Sequence, residues 1–215
     1  MTQHSLTNSW IPLFPLGTTL FPGGVIALKI FEARYLDMMK RCLREDVPFG
    51  VVSILENQPI DSDSSALANF SKIGTLAKLE ELDPIQPALY MTKSYGTQRF
   101  KVLAIKQEPD GLWMGQIELI DADPEMALAK EHEKVAALLN KIISVIKSEN
   151  LLGSDAIKIP KNPDDCGWVS NRLAELLPLP LAQKNHLLAQ SNPRIRLDLI
   201  SEIIEDDELR NIMIH

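Results

Sequence analysis

The chain has 215 residues, 45% apolar and 24% charged, proportions ordinary for a globular fold with enough length to bury a sizeable core. Its formal charge of −7, from 22 basic and 29 acidic side chains, runs against a binder of phosphate backbones. Two cysteines, Cys42 and Cys166, with no CxxC spacing, argue against a disulfide framework or a structural zinc.

The first ten residues, MTQHSLTNSW, lack the basic and apolar regions of a secretory signal. They read as a loose polar arm anchored at Trp10. Ile11–Phe31, IPLFPLGTTLFPGGVIALKIF, is the most apolar stretch and the most punctuated. Its prolines and glycines exclude a helix. Phe21-Pro22-Gly23-Gly24 predicts a tight turn with Pro at its second position and Gly at its third. Short strands are expected on either side.

Glu32–Arg44 places Tyr35, Leu36, Met39, Cys42 and Leu43 on one face at helical spacing, which predicts an amphipathic helix. Phe49–Leu55 reads as a buried strand. Glu56–Ser71 is polar, without periodicity, and long for a loop in a compact domain, which reads as either a mobile or a functional segment. Strand signals return over Ile73–Leu82, with a break expected at Asp83-Pro84. Ala88–Tyr95 and Arg99–Lys106 flank Gly96-Thr97-Gln98, which predicts a hairpin turn there. A second turn falls at Glu108–Gly111, before a strand over Leu112–Ile120. Six or seven short strands with one inserted helix point to a β barrel or half-barrel.

At Asp123 the texture becomes helical. Asp123 and Pro124 suit the cap and first position of a helix that would reach Glu149. Asn162 is expected to cap the next helix, with Pro163 as its first residue. Further helices are expected near Leu181–Ala189 and after Ser191 or Asn192, lined by Leu197, Ile200, Ile203 and Ile204. The expected domains are therefore residues 1–121, a β subdomain, and 122–215, a helical bundle.

No apolar run reaches the roughly 18 residues of a transmembrane helix. The expectation is a cytoplasmic protein without membrane or nucleic-acid partners.

Three segments carry a resemblance. IPLFPLGTTLFPGGVIALKIFEARY resembles the opening signature of the Lon protease N-terminal, substrate-binding domain. Ile73-Gly74-Thr75-Leu76-Ala77 with Gly96-Thr97-Gln98-Arg99-Phe100 is similar to that family's strand pair. Leu177-Pro178-Leu179, Lys184, Leu187-Leu188 and Arg196-Leu197 are similar to its C-terminal run. The resemblance covers about Trp10 to Glu205. It implies an α+β fold: an N-terminal β pseudo-barrel (PUA-like) with an inserted helix, followed by a C-terminal α-helical bundle. Complete Lon proteases continue into ATPase and Ser-Lys peptidase domains. This sequence holds no Gly-x4-Gly-Lys-Ser/Thr phosphate loop. The expectation is a stand-alone, non-catalytic domain with no cofactor and no metal.

Candidate chemistry is sparse. His132 lies on an apolar helix seam, where a packed, hydrogen-bonded imidazole is expected. Cys42 and Cys166 fall on apolar faces and read as inert thiols. Glu80-Glu81-Asp83, Asp121-Asp123-Glu125 and Glu205–Glu208 are carboxylate clusters with nothing to aim them at one substrate. Leu209–Ile214 is an apolar tail of unassigned role. The sharper candidate is a peptide-binding surface. Phe14, Leu16, Leu20 and Phe21 around the corner could face a partner or fill the core. Glu32, Arg34, Tyr35 and Arg99 could form its polar rim or fix the helix on the barrel. The resemblance implies a polypeptide-binding module for unfolded or exposed segments, an adaptor or regulator in protein quality control working with a protease or chaperone. The alternatives are a small hydrolase and a PUA-like RNA-binding protein.

Overall fold

The computed structural model describes residues 7–55, 69–149 and 163–205. The expected loop at 56–71 lies almost wholly outside them, as do the Leu151–Lys161 loop, the Asn162 cap, most of the Glu205–Glu208 cluster and the apolar tail. The chain divides into two compact units, Met1–Ala122 and Asp123–His215.

Among the described residues, the first unit is a six-stranded mixed sheet carrying one helix. Its strands are β1 (Trp10–Leu16), β2 (Val25–Ile30), β3 (Phe49–Ser53), β4 (Ile73–Gln86), β5 (Leu89–Gln107) and β6 (Trp113–Leu119); α1 spans Ala33–Glu45. The order is β2-β5-β4-β3-β1-β6, and β6 also pairs with β5, so five strands close on themselves. β1 and β3 run parallel, and β2 with α1 supplies the crossover this requires. The two-residue alternation of the strands deals their side chains into two clusters. Phe14, Phe49, Val51, Ala77 and Leu79 pack with Tyr35, Met38, Met39 and Cys42 of α1. Ile11, Leu13, Val52, Leu76, Phe100, Val102 and Ile117 fill the opposite side.

The Phe21–Gly24 turn forms as the sequence predicts. Gly24 N–H donates to the Phe21 carbonyl at 2.9 Å, and Gly23 takes the required positive φ of 75°. The expected hairpin at Gly96-Thr97-Gln98 does not exist. β5 runs unbroken through Gly96 as a 19-residue strand. Gly96 is there because the corner sits on it. Gly23 N–H donates to the Gly96 carbonyl and Gly96 N–H to the Gly24 carbonyl, both at 2.8 Å. A Cβ on Gly96 would collide with the Phe21 carbonyl oxygen. The actual hairpin joins Gln86 to Leu89 through Pro87-Ala88, with Ala88 at φ 62°. Nor does Asp83-Pro84 break β4. Beyond Ala77, β5 is the one described strand that pairs with β4, so among the described residues no second strand needs the donor that Pro84 lacks. The turn at Glu108–Gly111 holds, with Gly111 at φ 85°.

In the second unit α2 spans Glu133–Ser148, α3 Cys166–Leu176, α4 Leu181–Ala189 and α5 Pro193–Glu205. Among the described residues, α3 packs against α2, α4 and α5. Asp123 and Pro124 do not start a helix, because the Asp123 carboxylate is taken by Arg196, at 2.7 and 3.2 Å. A 3-10 turn at Lys130–His132 leads into α2 instead. Asp165 caps α3, its carboxylate accepting Trp168 N–H at 2.8 Å. Asn192 caps α5 as expected. Arg196 is fully buried, and every arm of its guanidinium is engaged. Besides Asp123 it donates to Asn171 Oδ1 at 2.9 Å, Ser170 Oγ at 3.4 Å, and the Leu187 and Gln190 carbonyls.

Gly96→Ala forces the corner off β5 and should cost about 1–3 kcal/mol by urea denaturation. Gly17→Ala, where the added carbon meets nothing within 4 Å, should stay within about 0.5 kcal/mol of the parent. Asp123→Ala strands the buried Arg196 charge and should cost about 3–5 kcal/mol in the same measurement. Adding Arg196→Met should recover part of that loss, since no unpaired charge then remains.

Candidate functional site

A cavity of about 390 Å³ opens where the end of β1, the end of β2 and the first turn of α1 converge. Phe14 and Leu16 reach it because alternation along β1 points them toward α1, and Pro15 between them also borders it. Leu28, Lys29 and Ile30 come from β2, and Phe31 through Tyr35 from the β2–α1 junction. Ile54, Phe70 and Trp113 complete it. The lining is therefore mostly apolar and aromatic, with one polar corner.

Aromatic packing fixes the walls. The Phe14 and Tyr35 ring centroids lie 4.3 Å apart, and Phe70 meets Trp113 edge-on at 5.2 Å. Such pairs contribute about 0.5–1.5 kcal/mol beyond their area. Burial pushes the Tyr35 hydroxyl above its ordinary pKa. Phe31 is different: it stands 69% exposed at the rim. A phenylalanine so exposed beside an apolar cavity marks an interaction surface more than a lone surface aromatic would.

Arg34 organises the polar corner. Its Nη2 donates to Glu32 Oε2 at 2.6 Å and its Nη1 to the Gly111 carbonyl at 2.8 Å. Its guanidinium carbon sits 4.9 Å from the Tyr35 ring centroid. These bonds tie the start of α1 to the Glu108–Gly111 turn. An added Cβ on Gly111 would lie 2.7 Å from Arg34 Nη1, so the turn and the arginine fit each other closely.

The structure brings together Phe14, Leu16, Glu32, Arg34 and Tyr35 and separates the other three candidates. Leu20 and Phe21 are buried core residues, so their expected place on an exposed binding surface is corrected. They turn inward because the corner is clamped to Gly96, and Thr75 Oγ1 donates to the Leu20 carbonyl at 2.6 Å. Arg99 is buried within β5 and does not line the cavity, so its expected rim role is corrected too. Phe31, Leu28, Phe70 and Trp113 were not legible as site residues. For Phe31 a signal existed: it sits one residue past the strand alternation and two before the helix, where neither face claims it.

The remaining candidates resolve into structural parts. His132 is buried, with Nε2 2.6 Å from Asp198 Oδ1. Glu131 lies close enough to complete a three-ligand group with them. Its carboxylate is exposed, and the imidazole is already engaged by Asp198. Cys42 is buried under α1, which pushes its thiol pKa up to about 11. Burial also raises that of Cys166. Neither is poised as a thiolate nucleophile. Arg172 and Glu175 form a buried pair at 2.6 Å; desolvation lowers the arginine pKa and raises that of the glutamate. No described helix is long and apolar enough to cross a membrane.

Residues 10–206 match the family model of the ATP-dependent protease La (LON) substrate-binding domain. A Lon protease of Anaeromyxobacter dehalogenans is 25% identical over 196 residues, covering 90% of this chain and 23% of that protein. A Lon protease of Halothermothrix orenii is 25% identical over 192 residues, covering 89% of this chain and 24% of the relative. The chain thus spans about a quarter of the length of the curated relatives it matches. The crystal structure of a Lon N-terminal domain protein from Xanthomonas campestris superposes with a TM-score of 0.71 at 30% identity, covering 90% of this chain and 98% of the other. The N-terminal domain of a Mycobacterium avium complex Lon protease shares the fold, with a TM-score of 0.60 at 17% identity over 92% of this chain and 99% of that one. With nearly its whole length matched, the chain belongs to the family of the Lon substrate-binding domain.

Proposed function

We propose that this chain is a non-catalytic polypeptide-binding module of the cytoplasm that holds unfolded or exposed segments at the cavity between β1, β2 and α1. The observation that carries the reading is Phe31, an exposed aromatic on the rim of an apolar cavity whose far wall is aromatic. The volume of about 390 Å³ suits one or two large side chains of a client. In this reading the closed sheet is the PUA-like pseudo-barrel of the family, residues 1–121 are the binding domain, and residues 122–215 form a helical bundle. That its relatives are Lon proteases supports a role in proteolysis, and an adaptor or regulator in quality control is the role that fits.

Binding is tested by fluorescence anisotropy with a labelled, permanently unfolded model protein. Saturable binding at tens of micromolar or below is expected; none would sink the proposal. Phe31→Ala should weaken it about tenfold, the usual loss for an anchor residue. Because Phe31 is exposed, stability should change by less than about 0.5 kcal/mol. Leu43→Ser, an exposed apolar site on α1 outside the cavity, should leave binding unchanged.

The hydrolase reading through Cys42 meets a buried thiol with a pKa of about 11. In a disulfide-exchange assay at pH 8 the native protein should release almost no thiol signal, and two equivalents should appear once urea is added. Rapid labelling of Cys42 in the native state would reopen that reading.

A further inference from the structure

We infer that the client segment binds as an added β-strand on the open edge of β2, with a large apolar residue in the cavity and an acidic residue opposite Lys29. The inference rests on the polypeptide-binding reading above and specifies its geometry.

Among the described strands, β2 alone has a single strand neighbour. Its ladder register settles which backbone groups are spent. Gly96 N–H donates to the Gly24 carbonyl, and the register then sets Ile26 opposite Ser94, Leu28 opposite Thr92 and Ile30 opposite Tyr90. Bonded pairs recur at every second residue of an antiparallel ladder, so Ile26, Leu28 and Ile30 turn their N–H and C=O groups toward β5. Those of Val25, Ala27 and Lys29 turn outward, and no described strand takes them. An edge of this kind is a template for another extended chain.

The side chains supply the rest. Ile26, Leu28 and Ile30 face the cluster under α1, and Leu28 and Ile30 also line the cavity. Ala27 and Lys29 are exposed. A strand added beside β2 would carry the same alternation. Residues beside Leu28 and Ile30 would face the cavity, toward Phe14 and Phe31. The residue beside Lys29 would lie on the exposed side, at the border of the cavity that Lys29 also touches, next to an ammonium that has no carboxylate partner among the described residues. Opposite charges facing each other across strands attract. The client is thus an extended segment in which large apolar residues alternate with an acidic one.

The test uses the full chain and synthetic peptides with an apolar-acidic-apolar core, measured by anisotropy. Ala27→Pro removes an outward N–H that the fold does not use, and edge strands tolerate proline. It should weaken binding about tenfold or more. N-methylation of the peptide at the residue pairing with the edge should do the same with the protein unaltered. Lys29→Glu should weaken the acidic peptide roughly two- to five-fold and strengthen its lysine counterpart. If Phe31→Ala abolishes binding while Ala27→Pro and N-methylation do not, the strand-addition inference fails and the cavity reading stands. If none of these changes matters, both fail. A concentration-dependent dimer that Ala27→Pro dissociates would assign the edge to a second copy and overturn the inference.

Discussion

The approach of the Phe21 carbonyl to Gly96 is the constraint on which the first unit depends. No side chain fits between them, so the corner lies directly on the backbone of β5. Two hydrogen bonds of 2.8 Å hold it there. From that point β2 is committed to run antiparallel along β5, and its register is set by the first bonded pair. Register in turn decides that Leu28 and Ile30 face inward and that Phe31 emerges at the junction with α1. A one-residue slip would reverse every one of those orientations. The cavity is therefore a consequence of a backbone contact about half a strand away from it, made by residues that take no part in its lining.

This division explains what the sequence disclosed and what it hid. The turn chemistry of Phe21–Gly24, the amphipathic pattern of α1 and the Asn192 cap are local, and local physics predicts them. Gly96 is legible only as a glycine. A hairpin turn and a close backbone approach both call for one, and nothing nearby in sequence tells them apart. The same holds for Pro84, since a proline breaks a strand only when its donor is needed, and that depends on whether a neighbour lies alongside. Asp123 has the chemistry of a helix cap, but a fully buried arginine 73 residues away makes the stronger claim on its carboxylate. Local cap propensity is worth about 1 kcal/mol. Leaving a buried guanidinium unpaired costs several times that.

For the candidate site the same logic applies side chain by side chain. The apolar residues of the opening stretch looked equivalent because composition does not say which way they point. Alternation along β1 sends Phe14 and Leu16 toward α1 and the cavity. The clamp at Gly96 sends Leu20 and Phe21 into the core. Arg34 was legible as a charged residue at the start of a helix. Its partner in the Glu108–Gly111 turn, 77 residues on, was not.

Magnitudes restrict what such a cavity can do. A single aromatic side chain buries roughly 150–250 Å², worth about 4–6 kcal/mol at the usual 25 cal/mol per Å². Association itself costs about 4 kcal/mol or more. One anchored residue therefore holds a client only weakly, and additional contacts must come from backbone pairing or from several domains acting together. The walls are already set by aromatic contacts and by the bonds of Arg34, so little ordering is spent when a side chain enters. In the proposed reading such a preformed site captures one apolar side chain weakly, and pairing along the edge of β2 has to supply the remainder.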